Sequence, residues 1–254
     1  MITVVICKLE IRKVFQVDQT EPSGSFKDAW SAAGRYIQAR SDERVNWLRA
    51  DLYPPLAEHL SFRLGNQLFF IYVDAAEWEW SRGREQFMQV AGQAKAIPCL
   101  MKMDQGQAGW KPRCAGWGLV HAESGEQIVP PALASDDFIE MSIWELHDFS
   151  IQVVGDYLKQ QGNEVLSRQS SLEADPSIWF QGEQGPGFVV VRAVTYPETE
   201  ASMPENIAGI QHRCRGISRS GFFASVAVAN AENLDLPPYR GHGMHVRFTG
   251  LLAL

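Results

Sequence analysis

The sequence predicts an α/β (α+β) protein of two similar sub-domains, each a mixed central sheet flanked by helices. Three observations carry this reading. Amphipathic helical stretches alternate with short apolar runs along the 254 residues. Two of those runs, Leu68–Val73 and Phe188–Val194, are apolar at consecutive positions, which marks strands covered on both faces. Finally, Pro130-Pro131 and the polar Ser135-Asp136-Asp137 interrupt the pattern near the middle of the chain. The boundary is drawn there, giving residues 1–134 and 135–254 as the two domains.

In the first half, residues 2–11 are rich in Val and Ile and read as a strand. After the turn at Glu21–Gly24, a helix is expected from Ser25, with Ser25 and Asp28 at capping-box spacing. Phe26, Trp30, Ala33 and Ile37 form its buried face. A second helix is expected from Asp42, with Val45, Leu48, Leu52 and Leu56 on one stripe and a break at Pro54-Pro55. Leu60–Leu64 and Leu68–Val73 read as a hairpin across Gly65-Asn66-Gln67. A helix over Arg82–Lys95, a strand over Pro98–Met103 and a hairpin over Gly116–Pro130 complete this half.

The second half opens with a helix over Ser142–Gln161, whose apolar face is Ile151, Val154 and Leu158, stopped by Gly162. Strands follow at Asn163–Ser167, Ile178–Phe180 and Phe188–Val194. Ser202-Met203-Pro204-Glu205 has the spacing of a capping box and precedes a helix carrying Ile207, Ile210 and Cys214. Gly221–Ala229 and Met244–Thr249 are the last two strands. The two halves share an order of elements, with Val45–Leu60 matched to Trp144–Gln161, Phe69–Val73 to Phe188–Val194, and Cys99–Met103 to Phe222–Ala229. That order fits an internal duplication, or one α/β domain whose elements merely alternate.

Charge narrows the range of functions. The net charge is −7, with 15 basic and 20 acidic residues in 1–149 against 8 and 10 in 150–254. No basic stripe is present, so direct nucleic-acid binding is disfavoured and a basic protein partner is favoured. Cys7, Cys99, Cys114 and Cys214 form no C-x-x-C pair, so no zinc site is expected; Cys7, Cys99 and Cys214 are read as buried thiols. The N-terminus lacks a signal-peptide pattern and no run is long enough to span a membrane, which points to a cytoplasmic protein. No cofactor motif and no glycine-rich phosphate loop follows any strand.

The order helix–strand–strand–strand–helix–strand over residues 144–229, with Asp175-Pro176 before one strand and Val190-Val191-Arg192 on the next, resembles the core of PD-(D/E)xK nucleases. That resemblance implies a divalent-metal site built from the first Asp and an acid-x-Lys trio. Here Val190 stands at the acid and Arg192 at the lysine, so the resemblance implies a nuclease-like scaffold without activity. An acidic two-part chain of this kind is also similar in general character to bacterial toxin-immunity proteins, which bind and neutralise a secreted nuclease effector. Trp78, Glu79, Trp80 and Trp110, placed in loops by the sequence, are the candidate partner-binding residues; the alternative is that the rings fold back over the core edge. The competing function is a metal-dependent nuclease or other hydrolase using Asp175, with Glu164 or Glu173. His242 and His245 read as a surface pair and not as ligands. Glu198, Glu200 and Glu205 read as a solvated acidic cluster, and Arg213, Arg215, Arg219 and Arg240 as an anion site or as partners for glutamates.

Overall fold

The computed structural model describes residues 22–41, 45–50, 52, 60–76 and 78–254. The strand expected over residues 2–11, Cys7, and the Pro54–Leu56 part of the second expected helix lie outside them. The described residues form two compact units, one over 22–52 and 60–139 and one over 140–254. No helix among them is long and apolar enough to cross a membrane.

In the first unit, α1 (Gly24–Gln38) begins one residue before the expected start, because Ser23 and not Ser25 is its N-cap: the Ser23 hydroxyl accepts from Phe26 N at 3.0 Å. Phe26, Ala29, Trp30, Ala33 and Ile37 are buried, as their spacing demands. The helix expected from Asp42 is not found in the described residues. Asn46–Arg49 is instead a strand, β1, paired antiparallel with β2 (Leu60–Leu64), and Trp47 packs edge-on against Phe62 at 5.6 Å. Cross-strand pairing here overrides a helical spacing of leucines.

β3 (Gln67–Asp74) turns back from β2 through Gly65-Asn66, with Gly65 at φ 56°. α2 (Trp80–Gln93) then crosses over to β4 (Ile97–Gly106), which runs parallel to β3. The crossover lays α2 against one face of the pair, and α1 covers the other. Phe69, Ile71 and Val73 of β3 join the α1 residues in one cluster. On the other side, Tyr72 meets Phe87 of α2 at 5.7 Å. β4 continues into an unexpected hairpin with β5 (Gly109–Pro112), tied by an Arg113–Asp104 pair at 2.7 Å. That hydrogen bond holds the Asp104 carboxyl below its ordinary pKa. β6 (Leu119–His121) and β7 (Gln127–Ile128) close the sheet, and Pro130–Leu133 is a single helical turn, α3.

The second unit repeats this plan. α4 (Ile143–Gln160) is followed by the antiparallel strands β8 (Glu164–Arg168), β9 (Ile178–Gly182) and β10 (Gly185–Thr195). α5 (Ile207–Cys214) crosses to β11 (Ser220–Asn230), parallel to β10 over Gly187–Thr195. β12 (Met244–Phe248) and β13 (Leu252–Ala253) lie antiparallel along β11. Helix, three-strand meander, helix, parallel strand and antiparallel strand thus recur in both units. The counterpart of α4 is α1, and not the Val45–Leu60 stretch. Val189 and Val191 of β10 pack with Ile151, Val154 and Leu158 of α4, while Phe188 and Val190 pack with Ile210 and Cys214 of α5. The expected capping box at Ser202 does not form: α5 starts at Ile207 after Asn206, which makes no side-chain cap.

Phe188 and Gly221 are neighbours across the parallel ladder, and a Cβ at Gly221 would sit 2.4 Å from the Phe188 ring. Gly221→Ala is therefore expected to destabilise the fold by about 1–3 kcal/mol through overpacking, read as a lower urea midpoint; an unchanged midpoint would refute this packing. Cys99 and Cys214 are buried and Cys114 is half-buried. Burial raises both enclosed thiols, Cys99 well above its ordinary value and Cys214 to about 12. Since the thiolate is the reactive form, iodoacetamide near neutral pH should label Cys114 at least about tenfold faster than either, as peptide mapping would show.

Candidate functional site

The N-terminus of α4 is unusually well tied. Ser142 and Glu145 form a complete capping box, with Ser142 N donating to Glu145 Oε2 at 2.8 Å and Glu145 N donating to Ser142 Oγ at 3.2 Å. The same Glu145 accepts two hydrogen bonds from Arg240, Nε to Oε1 at 2.8 Å and Nη2 to Oε2 at 2.7 Å. Both side chains are buried. Arg240 is thus committed to a glutamate and not available for an external anion. Its loop is also joined to the entry of α4 through Met141 N donating to Pro238 O at 2.9 Å.

One turn along α4, the buried Asp148 accepts from Ser170 Oγ and from Gln152 Nε2, the latter at 2.7 Å. Ser170 opens the segment between β8 and β9. Gln169 organises that segment, donating from its amide to the carbonyls of Ala174 and Pro176 and accepting from Ser171 N. Ser177 then joins the sheet, its N donating to Val189 O at 3.0 Å and its hydroxyl accepting from Val191 N at 3.2 Å. Asp175 is held between these anchors and faces β10.

There it meets Arg192. The guanidinium donates through Nη1 to Oδ1 at 2.9 Å and through Nη2 to Oδ2 at 2.5 Å. Nη1 also donates to Val191 O at 2.8 Å. This is a two-pronged, charge-assisted pair in which each carboxylate oxygen accepts from the fork. The sequence placed Asp175 and Arg192 at an Asp position and a Lys position, and the structure brings the two into contact. A divalent cation fits this donor set poorly. Its oxygen ligands would have to come from Asp175, already forked by a cation, and from Val190, a fully buried hydrocarbon. Among the described residues no three His, Cys, Asp or Glu side chains are grouped to hold a metal. Glu164 and Glu173 are both exposed.

Beside the pair opens a cleft of about 380 Å³ between the start of α4, the β8–β9 segment and the end of β10. Its rim carries Ile143, which is 73% exposed, and Leu172, which is 41% exposed; Leu146, Val194 and His147 also line it. The charged residues of the lining are Arg192, neutralised by Asp175, and Glu198, which has no ion pair among the described residues. The residual charge of the cleft is therefore negative. Periodicity gave no sign of this surface, because Ile143 is the first residue of its helix and Leu172 lies in the turn between β8 and β9, where no repeat is established.

Of the four residues expected to bind a partner from loops, Trp78 and Glu79 lie in the β3–α2 connection, whereas Trp80 and Trp110 belong to regular elements. Trp78 is half-buried and packs on Phe26 of α1 at 5.1 Å. Trp80 is the first residue of α2 and packs edge-on to Tyr72 and Phe87. Trp110 lies in β5 and packs against the same core as Phe26. Glu79 is exposed, and its carbonyl accepts from the Tyr72 hydroxyl at 3.0 Å. Their rings anchor the two helices to opposite faces of the first sheet and do not converge on one patch. His242 and His245 also part company: the first lies 3.4 Å from Glu232, the second on the exposed side of β12. Glu198 and Glu205 are exposed, while Glu200 pairs with Arg247 at 3.6 Å.

Residues 144–254, which span α4 through β13, match the family model of a domain of unknown function, DUF8840. No curated protein and no solved structure matches the chain.

Two substitutions test the electrostatics of the site. Arg240→Ala leaves Glu145 buried without its partner and should cost about 3–5 kcal/mol of stability. Arg192→Ala, at a partly exposed pair, should cost less, about 1–3 kcal/mol. Chemical denaturation measures both, and a reversed ranking would contradict the burial difference on which it rests.

Proposed function

We propose that the chain is a non-catalytic protein-binding module acting in the cytoplasm as an immunity protein, which neutralises a basic nuclease toxin by binding it directly. One observation carries this reading: at the Asp175 position, where a nuclease of the resembled type holds its metal, an arginine fork takes up the carboxylate. The other acidic position of such a site is the buried Val190. What supports a binding role is the neighbouring cleft, with a large exposed isoleucine and leucine on its rim and an unpaired glutamate in its lining. Exposed aliphatic residues around a concavity mark contact surfaces, and the negative charge of the cleft and of the chain suits a basic partner. The occupant we assign to the cleft is an apolar side chain of that toxin, flanked by lysine or arginine. Trp78 and Trp80, which hold α1 and α2 to their sheet, serve the fold more directly than the interface.

The test uses the purified protein encoded beside this chain's gene. Titration calorimetry should show binding that Ile143→Asp and Leu172→Asp each weaken by at least about 30-fold, as expected for central contact residues. Unchanged affinity in both variants would remove the cleft from the interface, and self-association lost in both would assign it to a second copy of this chain. The catalytic alternative is examined by incubating the chain with DNA and RNA in the presence of Mg²⁺ or Mn²⁺. No cleavage is expected; cleavage abolished by Asp175→Ala would overturn the binding reading.

A further inference from the structure

The unit over residues 140–254 contains eight lysines and arginines. Lys159, Arg192, Arg240 and Arg247 lie within ion-pair reach of a carboxylate, and Arg168 also has an interaction partner. Arg213, Arg215 and Arg219 have no carboxylate partner among the described residues, and they fall within seven consecutive positions. In a unit with thirteen acidic side chains, three unpaired cations between the last turn of α5 and the start of β11 are an island of opposite sign.

The fold gathers two of them around one cavity of about 440 Å³. Arg215 follows the last turn of α5, one helical repeat after Gln211, and both line it. Arg219 lines it from the short turn that leads into β11. That turn is fixed, because the buried Ser218 hydroxyl donates to Pro186 O and accepts from Ser220 N at 2.9 Å. The buried ring of Phe188 contributes to the wall. Basic residues after a helix can serve simply to offset its negative end. Here three of the last four carbonyls are already engaged, Gln211 O and His212 O by Arg215 N and Cys214 O by Ile217 N and Ser218 N. Two guanidinium groups sharing a cavity repel each other unless an anion lies between them.

We propose that this cavity binds a phosphoryl group carried on a small molecule. Two guanidinium forks and a side-chain amide provide planar, multiple donors to a tetrahedral oxyanion, the geometry for which arginine is suited. The volume falls in the range of small-ligand pockets, roughly 300–1,000 Å³, and exceeds what a lone phosphate needs. The site stands apart from the cleft at Asp175: Ser220 is paired with Gly187 at the beginning of β10, whereas Arg192 lies near its end. It is independent of the proposed function.

Titration calorimetry on the full chain with inorganic phosphate, pyrophosphate, AMP and adenosine decides it. Pyrophosphate and AMP should bind, phosphate more weakly, and adenosine not at all; binding should fade as salt is raised to about 0.5 M. Arg215→Gln and Arg219→Gln are both at exposed side chains. Each should weaken AMP by at least about tenfold, the loss expected for one charge-assisted hydrogen bond. Arg247→Gln, an exposed arginine outside the cavity, should leave the affinity unchanged. Absence of binding by all phosphoryl probes would overturn the proposal, as would adenosine binding as well as AMP. Wild-type affinity in both cavity variants, or binding of a single-stranded oligonucleotide without any small probe, would do the same.

Discussion

Each unit depends on a single pair of parallel strands, β3 with β4 and β10 with β11. A parallel pair cannot be joined by a tight turn, so the chain must cross a face of the sheet, and in both units it does so as a helix. The preceding helix covers the opposite face. The central strands are consequently enclosed on both sides, which is why Phe69–Val73 and Phe188–Val191 carry apolar residues without alternation. Close packing follows from the same enclosure: Phe188 lies over a glycine in β11 because no side chain of any size fits there.

On this frame the site is defined by ion pairs of unequal burial. Glu145 with Arg240 is enclosed and joins the C-terminal loop to the start of α4. Asp175 with Arg192 is partly open and stands at the mouth of the cleft. The first pair fixes where α4 begins, and Ile143 on its first turn is held out at the rim. The second removes net charge from a wall that would otherwise repel or attract strongly. The outcome is a concave surface that is apolar at its edge and mildly acidic within.

Much of this was legible in the sequence, for identifiable reasons. Elements whose apolar spacing is backed by burial on one clear face, such as α1 and α4, follow from periodicity alone. Asn46–Arg49 misled because a leucine spacing of helical type is only four residues deep in the described chain, and pairing with β2 determines its conformation. The β4–β5 hairpin escaped notice because its turn residues carry little apolar signal. Asp175 and Arg192 were each singled out, yet their contact depends on strand register across 17 residues, which no local pattern encodes. The tryptophans illustrate the converse: indole rings beside charged residues suggested exposure, and the sheet faces drew them in.

The arginine fork on Asp175 also bears on whether this surface could be made to hold a metal ion. Arg192→Lys would loosen the fork on the carboxylate but supply no second oxygen ligand. An acid introduced at Val190 would lie among Leu166, Trp179 and Ile210, in a fully buried position where an unpaired charge is heavily penalised. Neither change alone builds a set of oxygen ligands. The ion pair therefore holds Asp175 in a charge-compensated form, and the residues around the cleft can vary without exposing an uncompensated carboxylate.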